Sequence, residues 1–180
     1  MSEKICLINC IDFRYDYLVS SYYNAIGEQS NYYNATAAGS CLPISYQKYC
    51  CKYGGGCTCD AKKTNCTLKK ALLTNFEISQ ALSNTKLIDI INHQDCGAFK
   101  VFLPKAGYPD KLGENNAKEI EIQERALVLA RQELLCKYPN IQVTLKIIDI
   151  NGTVAQLLNG KWEVVYVGSG TNPKGLWWNK

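Results

Sequence analysis

The feature that most limits how this chain can fold is its rhythm of short apolar runs separated by segments of helical period. Residues 4–10, 32–36, 85–92, 141–150 and 162–167 are brief and rich in apolar, β-branched or aromatic side chains, as strands are. Between them, residues 13–26, 68–82 and 114–138 repeat apolar positions every three or four residues. Thr67 is placed to cap the second of these helices, while Gly27 and Pro139 stop the first and third. Residues 99–113 read as loop. Strands alternating with helices predict an α/β fold, with a mostly parallel central sheet flanked by helices. In such sheets ligands bind beyond the carboxyl ends of the strands.

The residues at those ends carry chemistry. The first run closes on Cys10, with Asp12 and Arg14 just past it, and the run at 85–92 delivers His93, Gln94, Asp95, Cys96 and Gly97. His93 is the only histidine in 180 residues. Taken singly, a histidine at a strand end is usually hydrogen-bonded, a cysteine is a small buried hydrophobe, and Asp12 with Arg14 is an ion pair. Taken together at the ends of two strands, Cys10, His93 and Cys96 supply the three protein ligands of an open zinc site. Two thiolates balance the charge of the ion. Asp12 is placed to accept a proton in a hydrogen bond, and the Arg14 fork to hold that carboxylate off the metal.

Composition narrows the class further. A chain of 180 residues, 47% hydrophobic, can bury the core of one domain, here residues 1–180. It contains no apolar run of membrane-spanning length and no signal-peptide layout, so a soluble cytoplasmic protein is expected. Lysine and arginine outnumber acids 20 to 16, but the excess is concentrated in residues 45–70, which argues against a nucleic-acid binder. Ten cysteines in a cytoplasmic protein read as metal ligands before disulfides. Cys50, Cys51, Cys57, Cys59 and Cys66 crowd into a Cys/Gly/Lys-rich segment at about 41–66 that breaks the rhythm and reads as an insertion. A second, structural zinc site on four of them, or on a set with Cys41, is one reading; free thiols and disulfides are the others. Cys6 and Cys136 read as core residues, and Trp177 and Trp178 as anchors for the tail.

Cys10-x-Asp12-x-Arg14 followed by His93-x-x-Cys96-Gly97 resembles the zinc signature of the β-class carbonic anhydrases. The small turn at Ala38-Gly39 and the order of elements through Gly152 are similar as well, over most of the chain outside 41–66. The resemblance implies a zinc lyase that hydrates carbon dioxide reversibly to bicarbonate and a proton, working as a homodimer or an assembly of dimers. It implies Cys10, His93 and Cys96 as ligands and Asp12 with Arg14 as the catalytic dyad, with Asp12 also able to become a fourth ligand in a closed state. Ile11 and Phe13 stand where the family usually has small or polar residues, and Gln94 where it has threonine. The altered lining keeps two alternatives open: hydrolysis of carbonyl sulfide or carbon disulfide on the same site, and a non-catalytic, zinc-stabilised binding protein. With the sole histidine committed to zinc, proton export falls to other groups or to buffer.

Overall fold

The structure, a computed structural model, describes residues 4–168. Among these, the chain runs β1 (Ile5–Asn9), α1 (Phe13–Ala25), β2 (Tyr32–Thr36), α2 (Leu42–Tyr53), α3 (Cys59–Ser83), β3 (Leu87–His93), α4 (Gly97–Phe102), α5 (Asn116–Lys137), β4 (Gln142–Ile148), β5 (Val154–Leu158) and β6 (Lys161–Tyr166). The strands form one sheet in the order β2-β1-β3-β4-β5-β6. The first four are mutually parallel, and β5 and β6 add an antiparallel hairpin at one edge. The α/β sheet flanked by helices is therefore as the rhythm predicts. Trp177 and Trp178 lie outside the described residues.

β1 is buried along its whole length, because parallel strands are covered on both faces. Its side chains alternate between two cores. Ile5 and Leu7 join Tyr15, Val19, Tyr22 and Tyr23 of α1, whereas Cys6 and Ile8 face a larger core containing Leu42 of α2, Phe76 of α3 and Leu127 of α5. A charged pair is sunk in the α1 face. Asp89 of β3 pairs with Lys146 of β4, accepts from Tyr23 Oη at 2.6 Å, and leaves the Lys146 ammonium over the rings of Tyr22 and Tyr23.

Several boundaries differ from the sequence-based expectation. The segment at 41–66 is mostly helical: α2 buries Leu42, Ile44, Tyr46 and Tyr49, with Pro43 in its first turn, where a missing N–H costs nothing. Tyrosine and cysteine line much of its inner face, which blurs the apolar period. α3 begins at Cys59, not beyond Thr67, because Thr58 Oγ1 caps it by accepting from Ala61 N at 3.1 Å. Thr67 sits mid-helix, its hydroxyl turned back to Lys63 O. The loop expected at 99–113 opens with the short helix α4. Cys6 is buried as expected, but Cys136 is exposed.

The five clustered cysteines do not gather into a zinc site. Cys50 and Cys57 form a disulfide across the glycine turn that ends α2, and Cys51, Cys59 and Cys66 are free and exposed. A helix that carries Cys50 inward carries its neighbour Cys51 outward, which scatters the ligand set.

Candidate metal centre

The sheet order itself creates the site. From β1 the chain crosses to β2 on one side, then returns past β1 to β3 on the other. The connections therefore diverge beyond the carboxyl ends of β1 and β3, opening a crevice where α/β sheets bind ligands. Cys10 follows β1 directly, His93 is the last residue of β3, and Cys96 is the N-cap of α4.

The ligand atoms of Cys10, His93 and Cys96 all lie within 4.8 Å of one another, the one such trio among the described residues. The two sulfurs are 3.9 Å apart. Two thiolates bound to one tetrahedral zinc at ordinary Zn–S lengths stand about 3.8 Å apart. His93 is 2% exposed, and its Nδ1 lies 2.8 Å from the Gln94 carbonyl, which it reaches as an N–H donor. That bond leaves Nε2 with its lone pair, buried and without a hydrogen-bond partner. An orphaned imidazole nitrogen beside two thiols is what an N,S,S zinc site requires, so the residues fit the ion.

The thiols differ. Cys10, half-buried, is pulled down to about 4 by the Cys96 thiol, helped by the imidazole and by Gly39 N–H at 3.3 Å, against the effect of burial. Cys96 is pushed up by the neighbouring Cys10 sulfur and by burial. Gly39 has a reason to be glycine: its φ is +81° and a Cβ there would meet Leu42 Cβ at 3.0 Å and Ala98 Cβ at 3.1 Å. Only a bare backbone brings that N–H onto the sulfur.

Asp12 caps α1 and sits beside the trio, its Oδ2 3.9 Å from His93 Nε2. Arg14 grips it in a fork, Nε to Oδ1 at 3.0 Å and a terminal nitrogen to Oδ2 at 2.7 Å, which holds the carboxyl below its ordinary range. The same guanidinium reaches Asp95 Oδ2 at 2.9 Å and Asp95 O at 3.1 Å. Burial pushes the Asp95 carboxyl up, but Lys100 at 2.7 Å and Arg14 outweigh it and hold it low. Asp95 has φ +56°, a left-handed conformation that aspartate tolerates better than most residues. A cleft of about 460 Å³ opens on Cys10, Asp12 and Arg14. Ile11, Phe13 and Val101 line it while being 65%, 86% and 70% exposed.

Three groups that the sequence pattern does not single out also belong here. Tyr15 packs its ring, tilted, against that of His93 at 4.2 Å and donates to the Gln94 carbonyl at 2.8 Å. Tyr108 Oη accepts from Cys96 N at 3.1 Å, and Gln123 Nε2 donates to His93 O at 2.9 Å. Tyr15 falls at a helical core position, so its polar role is masked. Tyr108 lies in a loop with no period.

No family model matches the chain. An uncharacterized protein of Rickettsia conorii is 27% identical over 153 residues, spanning 84% of this chain and 70% of its own length. Another, of Rickettsia bellii, is 24% identical over 151 residues, spanning 84% and 79%. Structural neighbours are β-carbonic anhydrases. The β-carbonic anhydrase CcaA shares the fold with a TM-score of 0.54 at 14% identity, over 90% of this chain and 84% of that one.

Proposed function

We propose that this chain is a zinc-dependent carbonic anhydrase, hydrating carbon dioxide reversibly to bicarbonate and a proton. The observation that carries the reading is the convergence of Cys10, His93 and Cys96, with an orphaned His93 Nε2, beside an Asp12–Arg14 pair at the β1/β3 crevice. The β-carbonic-anhydrase-like fold supports it. Cys10, His93 and Cys96 would hold the metal. Zinc, when bound, acidifies water to a nucleophile near neutral pH. Asp12 Oδ2 accepts the hydrogen bond that orients the attacking oxygen, and Arg14 keeps Asp12 ionised and in place. The cleft admits a small uncharged substrate past an apolar mouth. His93, being the sole histidine and buried, leaves the proton to depart through solvent-facing groups and buffer.

The apolar mouth favours a second reading, hydrolysis of carbonyl sulfide or carbon disulfide, which are also small and linear. Association of two copies is part of this reading, and sedimentation at several concentrations tests it. Carbon dioxide hydration and carbonyl sulfide hydrolysis by zinc-loaded wild type and Asp12→Ala are the deciding assays. Turnover on carbon dioxide that falls at least 100-fold in Asp12→Ala is expected. Turnover on carbonyl sulfide alone would select the second reading, and none on either would leave a zinc-stabilised binding protein.

A further inference from the structure

Behind the metal trio lies a buried polar cluster that does not touch the ligand side chains. Glu119 and Gln123, one turn apart on α5, and Tyr108 are 1%, 0% and 8% exposed. The Tyr108 hydroxyl donates to Glu119 Oε1 at 2.6 Å and accepts from Gln123 Nε2 at 2.7 Å and from Cys96 N at 3.1 Å. Glu119 Oε1 also accepts from Asp95 N, and Gln123 Nε2 donates to His93 O. Burying an acid, an amide and a phenol together costs free energy unless they are paired, and here the donors are paired while Gln123 Oε1 has no partner.

What it pairs with is the backbone that separates the ligands. Gln94 N donates to Ile148 O, Gln94 O accepts from Tyr15, and Asp95 O accepts from Arg14. With the cluster added, every backbone polar group from His93 O to Cys96 N has a partner. The two ligands and the two residues between them, one left-handed at Asp95, are thereby fixed.

We propose that Glu119, Tyr108 and Gln123 are positioning residues that set the metal affinity of the site by holding the turn at 93–96 in its metal-ready form. The proposal rests on the zinc reading above. Outer groups of this kind change metal affinity by about 10–100-fold when removed. Tyr108→Phe deletes only the hydroxyl and keeps the ring stacked on Phe99 at 5.4 Å.

The test is zinc competition against a chromophoric chelator, together with the electronic spectrum of the cobalt(II)-substituted full chain. Tyr108→Phe is expected to weaken zinc binding about 10–100-fold and to shift the ligand-field and thiolate bands of cobalt. Thr85→Val serves as the control: it breaks a buried bond to Ser79 O at 3.1 Å, away from the site. It should lower the melting temperature of the metal-free protein while leaving affinity and spectrum alone. If Tyr108→Phe fails to fold, Gln123→Met, which removes the donor to His93 O, is read in the same way. A variant that binds zinc like wild type with an unchanged cobalt spectrum, or no worse than the control at equal loss of melting temperature, overturns the proposal and leaves the zinc reading standing. Wild type that takes no zinc from the chelator removes both.

Discussion

Replacing Arg14 by glutamine removes the cation that touches both carboxylates at the mouth of the site. In the intact protein the guanidinium contacts Asp12 at 2.7 Å and Asp95 at 2.9 Å. Charged hydrogen bonds contribute about 1.5–3 kcal/mol each when sheltered. The Arg14 side chain, however, is 37% exposed, and exposed pairs contribute only about 0–1 kcal/mol. Between those limits, the loss on mutation is about 1–2 kcal/mol at neutral pH. Most of it falls on Asp12, since Asp95 keeps Lys100. Both carboxyls are held below their ordinary range in the folded chain. A depressed acid contributes stability that is complete above its unfolded pKa, about 3.9, and lost as pH falls through the folded value. The wild-type advantage over Arg14→Gln is therefore full at pH 7 and begins to shrink as pH falls below about 3.9, where the acids of the unfolded chain take up protons first. Urea unfolding of the two proteins at several pH values between 7 and 3 measures it. A difference that stays flat across that range, or grows toward acid, would show that the guanidinium does not act through these carboxylates.

Lys146→Met strands Asp89 among the tyrosines of α1 and should cost about 3–5 kcal/mol in urea unfolding. Adding Asp89→Leu should restore much of it, and a double variant as weak as the single would refute the pairing. Eight free cysteines and one disulfide mean that the denatured, unreduced chain should titrate eight thiols, and ten after reduction. Removing both Cys50 and Cys57 should cost about 2–3 kcal/mol, as expected for closing so short a loop. Elemental analysis should find one zinc per chain; two would reinstate a cysteine-held structural ion. Carbon dioxide turnover should rise with buffer concentration at constant pH, and a maximal rate indifferent to buffer would require an internal proton carrier.

Legibility in the sequence followed the physics of each element. β1 and β3 are short apolar runs buried on both faces, so their ends, with Cys10, Asp12, His93 and Cys96, could be placed from residue pattern alone. α2 could not, because its buried face is built of Tyr46 and Tyr49 and its cysteines read as a metal cluster. The β5–β6 hairpin turns on Asn159-Gly160, both at positive φ, a dipeptide signal available in the sequence but passed over beside the stronger strand before it. The bonds that make the site rigid were the least legible. They join side chains of α1, α5 and the loop at Tyr108 to backbone atoms of the ligand turn, and backbone donors and acceptors leave no mark on residue type.

The mouth and floor of this site make opposite chemical demands, and that opposition narrows what it can take. The floor, His93 and Cys96, is sealed, at 2% and 1% exposure, so no bulky substrate reaches the trio from that side. Access is from the side of Cys10 and Asp12, past Ile11, Phe13 and Val101. A charged substrate entering there would shed water against apolar side chains before meeting any compensating group, at a cost of several kcal/mol. An uncharged linear molecule pays no such penalty, and Arg14 is the one cation among the described residues that line the cleft. Replacing Phe13 by lysine, which leaves every ligand and the Asp12–Arg14 pair untouched, should therefore alter KM for bicarbonate more than for carbon dioxide; an equal change in both would show that the rim does not discriminate by charge.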